Sequence, residues 1–205
     1  MRKLLSVLLF CILVYQGNCQ DSLKNTIKVS LLSALDPVNP SVDFTYERFI
    51  SAKRSLQFGA GPLLPTAYRK NKGIKIRTEY RFYSKEPNGL YFAPELFYMY
   101  NNYAATGEFG KQNDTSGYNY TDHFRIDKQV VALTGKIGFQ IQGKSVCVDI
   151  FTGIGVRFRF VKQYERKNPE DEFIAPIDLN VGYMADTVNS VTLNLSLNMR
   201  VGFGF

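Results

Sequence analysis

With 205 residues the chain has the length of one domain, and 25 basic against 18 acidic residues leave a net charge of +7. The basic residues are scattered rather than run together, which argues against a nucleic-acid partner. Beyond the first residues no apolar stretch approaches the roughly 20 that a helix needs to cross a bilayer, which excludes a helical membrane protein.

The chain opens like an export signal. Arg2 and Lys3 precede the apolar run Leu4–Val14, and Gly17-Asn18-Cys19 offers small residues for a signal peptidase. Cleavage after Cys19 is expected, leaving one domain over residues 20–205. Asn18 and Gln16 do not fit the residues that a lipidated Cys19 would require. The signal carries two basic residues and no acid, so the mature charge falls from +7 to +5. Cys147 is then the one cysteine left, too few for an internal disulfide or a metal cluster, and it is expected to be a small buried or lumen-facing residue.

Strand-like alternation follows in eight segments. Weak matches run through Ile27–Leu35, Val42–Ile50 and Leu56–Pro62. In the fourth segment Ile74, Ile76, Thr78, Tyr80 and Phe82 share one face while Lys75, Arg77, Glu79 and Arg81 share the other. A weak match covers Leu90–Tyr100, then Val131–Ile141 and Val146–Phe160 alternate clearly, the latter setting Cys147, Asp149, Arg157 and Arg159 opposite its apolar row. The last segment is the most informative: from Val191 to Phe205 every second residue is apolar, over fifteen positions. A strand of a soluble sheet averages about 5–6 residues, whereas a tilted membrane strand needs about 9–11.

The connections alternate as well. Ser51–Arg54, Ser84–Gly89 and Gln142–Ser145 are short, and would face the periplasm. Leu63–Lys72, Asn101–Phe124 and Lys162–Asn189 are longer and would face outward, with Asp36–Pro40 as a short fourth. This pattern predicts an all-β, eight-stranded, antiparallel up-and-down transmembrane barrel. In lipid every backbone N–H and C=O needs a partner, so strands can span only as a closed ring. An eight-stranded ring has an interior just wide enough for side chains. The expected lumen network is Asp43, Glu47, Lys75, Arg77, Glu79, Arg81, Glu95, Asp149, Arg157, Arg159 and Arg200, joined by Lys128 and Lys136. Opposite charges in so narrow a tube should pair and plug it.

Val201, Phe203 and Phe205 end the chain on an aromatic residue with apolar residues two and four positions earlier. This pattern looks like the signal by which the barrel-assembly machinery recognises its clients, an amphipathic edge strand open to β-augmentation. The segments Lys28-Val29-Ser30-Leu31-Leu32 and Asp43-Phe44-Thr45-Tyr46-Glu47-Arg48, the Asn39-Pro40 turn between them, and the basic strand from Lys72-Gly73 to Tyr83 resemble small uncharacterised outer-membrane barrels of Bacteroidota. The likeness covers Lys28 to Tyr100 and the last strand. It implies fold and compartment, and it brings no function.

Catalysis is expected to be absent. The one histidine, His123, stands beside Asp122, and Arg125 occupies the place where lipid A deacylase barrels pair histidine with serine. Ser116 and Asp122 could join His123 only if the long third outer connection folded tightly. No metal or cofactor site is expected. At the outer ends of the strands Arg69, Lys70, Lys72, Lys162, Arg166 and Lys167 form a candidate lipopolysaccharide rim, near Lys75, Arg125, Lys128, Arg157 and Arg159; arginine offers paired donors to phosphate. Tyr98 and Tyr100 suit an interfacial girdle, and Tyr103, Tyr118 and Tyr120 a contact surface farther out. The leading expectation is therefore a monomeric, non-catalytic outer-membrane barrel with a plugged lumen and long outer connections for surface interaction or envelope structure. Outer-membrane lipids and the assembly machinery would be its partners. The alternatives are a soluble periplasmic lipocalin-like carrier, whose faces would be reversed, and an outer-membrane lipid A-modifying enzyme with His123 as base.

Overall fold

The computed structural model describes residues 25–66, 70–84, 89–110, 119–143, 146–176 and 188–205. The expected signal segment, Arg69, Ser116 and Tyr118 lie outside these. Among the described residues there are nine strands: β1 (Asn25–Ser30), β2 (Asp43–Ser51), β3 (Arg54–Pro62), β4 (Lys72–Tyr83), β5 (Gly89–Gly110), β6 (Asn119–Gln142), β7 (Val146–Tyr164), the short β8 (Glu172–Pro176) and β9 (Ser190–Gly204). All pairings are antiparallel. Each ring strand pairs with the next in sequence, β9 takes the place after β7, and β9 pairs with β1 while β4 pairs with β5, which closes a ring of eight. The terminal Phe205 exchanges both backbone hydrogen bonds with Asn25, at 3.1 and 2.9 Å. Thus the strand that ends in Val201 and Phe203 has β1 on one side and β7 on the other, and every strand of the ring has two neighbours.

The registers set the barrel's shape. Paired residues lead from Lys28 through Thr45, Gly59, Arg77, Phe97, Ala132 and Arg157 to Thr192, which continues to the level of position 38 beside β1. The stagger from position 28 is about ten residues, which for eight strands corresponds to a tilt of roughly 40°. Alternation does the rest. Leu195 and Leu197 on the outer face are 68% and 69% exposed, while Arg81 and Arg200 on the inner face are 0% exposed. The molecule is apolar outside and charged inside.

Two elements differ from the sequence expectation. The first strand ends at Ser30 rather than Leu35, and Leu32–Leu35 turn into a single 3-10 turn. Polar contacts draw it over the barrel mouth: Asn198 donates to the Ser33 hydroxyl (2.9 Å), which donates to Asp43 (3.0 Å). The stretch Asn101–Phe124, expected as a long loop, is mostly a continuation of β5 and β6, paired out to Gly110 and Asn119. The following connection adds β8 to the edge of β5 at Gly107–Gly110. Gly89, which opens β5, has φ 108°, a left-handed conformation that favours glycine at this turn.

Candidate functional site

The interior divides into a plug and a vestibule. Four cations and four carboxylates form the plug: Lys28, Arg81, Lys136 and Arg200 against Glu47, Glu79, Glu95 and Asp149. Glu79 is the hub. Arg200 grips it with two guanidinium nitrogens (2.6 and 3.2 Å), Arg81 reaches it at 2.9 Å and Lys136 at 2.9 Å, while Lys136 also pairs with Glu95. Asp149 binds Arg81 at 2.8 Å and Lys28 at 3.4 Å, and Lys28 lies 2.6 Å from Glu47. Lys28 also donates to Gln140 at 2.6 Å, and Tyr91 donates to Asp149 at 2.7 Å. Aromatic faces complete the shell: Arg81 stacks 4.3 Å above the Tyr91 ring, and Arg200 lies 4.3 Å from the Phe151 ring. Seven strands contribute a charge and β3 contributes Gln57. The plug therefore forms only when the ring closes, and its charges sum to zero.

Burying ions costs several kcal/mol each unless they are paired and hydrogen-bonded. Here the cost is offset by near-complete pairing, which leaves no charge in this layer to attract a solute. Tyr83, Tyr91, Ala93 and Phe151 are buried together against it, with Phe49 packed onto them, and Phe151 reaches through to a cavity on the other side. Gly138 makes room for this layer, since a Cβ there would sit 2.4 Å from the Tyr91 ring.

Above the plug lies a cavity of about 590 Å³, walled on one side by Leu32, Leu35 and Asp36 of the first connection and on the other by β7 and β9. Lys75, Arg77, Lys128, Arg157 and Arg159 line it. Arg77 is held by Asp43 at 2.6 Å, and Lys75 by Asp36 at 3.5 Å and the Asn39 carbonyl at 2.6 Å. Arg157 donates to the Asn194 side-chain oxygen through Nε (2.9 Å) and a terminal nitrogen. Burial works against ionisation of Asp36, but the backbone N–H of Asn39, the Lys75 ammonium and the N–H of Val38 outweigh it and hold the carboxyl below its ordinary range.

The expected lumen residues all face inward, yet they do not make one network. Arg157 stands apart from the ion pairs among the described residues. Lys28, absent from the sequence expectation, is central. Its signal was present, since Lys28 shares the inward phase of Thr26 and Ser30, but one cation in a weakly alternating segment did not stand out.

The rim is corrected more heavily. Lys75, Lys128, Arg157 and Arg159 line the inner cavity instead of the outer rim. Arg166 is not a free surface cation: it lies 4.3 Å from the Phe109 ring and donates to Gln163 (3.3 Å) and the Asp171 carbonyl. Lys70 and Lys72 are exposed at the start of β4, and Lys162 and Lys167 are exposed at and beyond the end of β7. The extended β5–β6 hairpin separates the two groups. On its outer face Arg125 and Asn102 bond to Tyr164, and Asn102 and Tyr100 bond to Asp127.

Nor do Tyr103 and Tyr120 form an outward contact surface. Tyr103 is 1% exposed within a cluster with Ala105, Phe109, Phe124 and Ile126, against which Tyr120, Val161 and Phe173 pack. The Tyr120 hydroxyl donates to Asp171 at 2.7 Å. Asp122 and His123 alternate to opposite faces of the hairpin: Asp122 is buried and accepts the backbone N–H of Lys167 (2.8 Å), while the His123 ring lies 3.0 Å from the Thr106 hydroxyl. Cys147 is a free, buried thiol facing the lumen. No cluster of three or more metal-ligating side chains occurs among the described residues. No protein-family model, curated protein or solved structure matches the chain.

Proposed function

We propose that the chain is an integral outer-membrane protein, a plugged and non-catalytic eight-stranded barrel whose extended outer hairpin presents a surface at the cell exterior. The outward apolar band carries this reading. On β6 the outward residues are apolar from Val131 to Ile141 and polar from Gln129 upward. Those ten residue steps, at about 3.3 Å each and tilted roughly 40°, rise about 25 Å, the height of the apolar band of outer-membrane barrels. Outward aromatics gather near both limits, with Tyr98, Tyr100, Phe158 and Phe160 above and Phe82, Phe92, Phe139 and Phe203 below, as interfacial girdles do. A water-soluble monomer rarely exposes an apolar patch of more than a few hundred Å². A soluble carrier would need the faces reversed.

The resemblance to Bacteroidota barrels and the alternation of the last strand support the same compartment, with the assembly machinery as partner during biogenesis. The opposite facing of Asp122 and His123 supports a non-catalytic role. Lys70 and Lys72, exposed at the outer end of β4, suit lipopolysaccharide phosphates, and Gln at both positions should weaken co-purification of lipopolysaccharide; equal retention removes that partner.

The compartment itself is tested with Leu195→Cys and Ile76→Cys in vesicles, each spin-labelled, with buried Cys147 left in place. Collisions with a lipid-soluble relaxant should dominate at both sites. Dominant collisions with a water-soluble relaxant would place these faces in water and end the membrane reading.

A further inference from the structure

β9 is longer than the strand that closes the ring onto it. β1 accompanies it from Arg200 to Gly204, with a last bond from the Leu31 N–H to the Met199 carbonyl (2.9 Å). Above that level the chain has turned away into Leu32–Leu35. From Ser190 to Asn198, β9 is therefore paired on its β7 side alone among the described residues. Hydrogen-bonding sides alternate along an antiparallel strand, so the backbone groups of Leu193, Leu195 and Leu197 point to the side that β1 has left. At Met199 the Asn198 side chain stands in for the missing strand, accepting the N–H at 2.8 Å.

The vestibule reaches this gap. Leu195 and Leu197 stand on the outer face of β9, and Asn194, Ser196 and Asn198 on its inner face, yet all five border the same cavity. Side chains from both faces of a strand can border one cavity only where it passes the strand's edge. The opposite lip is Leu32 and Leu35 of the first connection, 38% and 76% exposed. The open stretch carries the upper half of the outward apolar row, from Val191 to Leu197. In the membrane reading, on which this inference rests, it faces the acyl chains of the outer leaflet. Unpaired strand backbone is tolerated at that depth only where protein buries it or it lines a wet cavity. Inside, the Ser196 hydroxyl is buried without a hydrogen-bond partner. Arg157 donates, among the described residues, to one neutral oxygen, that of Asn194. A guanidinium has five N–H donors, so some remain for a ligand. The carboxylates of the lining are already held, Asp36 by Lys75 and Glu95 by Lys136. The cavity's 590 Å³ lies within the range of small-molecule sites, roughly 300–1,000 Å³.

We propose that the gap is a lateral portal through which the vestibule takes a single-chain amphiphile from the outer leaflet. Its head, a carboxylate or phosphate, accepts hydrogen bonds from Arg157 and Ser196. Its hydrocarbon chain leaves between the leucine lips into the bilayer. The plug beneath makes the site blind-ended.

The chain contains no tryptophan and Phe97 lines the cavity, so Phe97→Trp gives a reporter there. The full chain with this change is reconstituted in phosphatidylcholine vesicles and titrated with stearate carrying a nitroxide near its head. Quenching of the introduced indole should saturate at one amphiphile per barrel and be reversed by unlabelled stearate. A nitroxide near the chain end should quench less. Adding Arg157→Gln and Ser196→Ala should raise the half-saturating concentration at least tenfold. Leu195→Trp, in a separate chain, reports on the bilayer face and should be quenched in proportion to nitroxide content without saturation. If Phe97→Trp does not refold, the native chain is titrated and the nitroxide spectrum read, where a motionally restricted fraction displaced by stearate is expected. The proposal alone is overturned if Leu195→Trp is quenched while the cavity shows no saturable, displaceable binding. Unchanged binding after Arg157→Gln and Ser196→Ala, or stronger quenching from the chain end, also overturns it. If neither indole is quenched, the membrane reading falls with it.

Discussion

One strand, β5, passes through two environments, and the polarity of its outward face changes between them. From Leu90 to Tyr100 its outward residues are Leu90, Phe92, Pro94, Leu96, Tyr98 and Tyr100, and the inward ones are Tyr91, Ala93, Glu95, Phe97 and Met99. From Asn102 to Phe109 the outward residues are Asn102, Ala104, Thr106 and Glu108, and the inward ones include Tyr103, Ala105 and Phe109, the last 0% exposed. The backbone period never changes; the outward row turns polar, while the inward row stays largely apolar around Glu95. Lower down, the sheet encloses ions and turns its greasy face outward. Higher up, the same sheet covers a conventional apolar core under β8 and the end of β7. Polarity follows the medium that each face meets, and the hairpin is an ordinary sheet mounted on an inverted one.

The comparison gives graded tests. The largest effect is expected in the plug. Glu79→Leu leaves Arg200, Arg81 and Lys136 without their shared carboxylate, and breaking a buried ion pair from one side costs about 3–5 kcal/mol. Urea unfolding of the refolded barrel should show the loss as a lower midpoint of the whole transition. Phe109→Ala in the hairpin core costs about 3 kcal/mol, and the damage should stay local. Limited proteolysis should open residues near Gly107–Gly110 while the barrel's midpoint holds. A global collapse from Phe109→Ala, with Glu79→Leu tolerated, would reverse the relation between the two regions.

Next comes the outer face. Leu195→Arg, in the middle of the apolar row, should cost about 2 kcal/mol in phospholipid vesicles, whereas Thr106→Arg on the outward face of the hairpin should leave unfolding nearly unchanged. Equal effects would mean that the two outward faces share one solvent. The smallest effect belongs to Asp36. Its folded-state pKa is depressed below the ordinary value of 3.8, so its contribution is present above that value and lost as pH falls through the lower, folded one. Hydrogen-exchange protection factors over residues 32–39, with the intrinsic pH dependence of exchange divided out, should stay constant from neutral pH down to the ordinary carboxylate range and fall below it. Asp36→Asn should abolish that acid dependence.

Several features are legible in the alternation of the sequence alone. Fifteen alternating positions in Val191–Phe205 gave a long amphipathic strand, and the charged faces of the fourth and seventh segments gave an ionic interior. The hairpin was not legible by the same rule. A search for outward apolar rows stops at Tyr100, because beyond it the outward residues Asn102, Thr106 and Glu108 are polar and the large apolar ones lie on the inward phase. The 3-10 turn was hidden for another reason: Leu31, Leu32 and Leu35 prolong an apolar stretch that reads as strand, and what ends β1 at Ser30 is the polar tie from Ser33 to Asp43 and Asn198. Arg166 looked like a rim cation because nothing local in the sequence places Phe109 beneath it.

Taken alone, the sequence determined the strand period, the eight ring segments and which face of most of them is charged. Tertiary structure decided the heights. Sliding a strand by two residues leaves every side chain on its original face, so alternation cannot say which cation meets which carboxylate. The stagger of the closed ring brings Lys28 to Glu47 and Asp149, and Arg200 to Glu79, and leaves Arg157 and Arg159 above them. A balanced plug beneath a cavity lined by lysine and arginine side chains is the consequence of that closure.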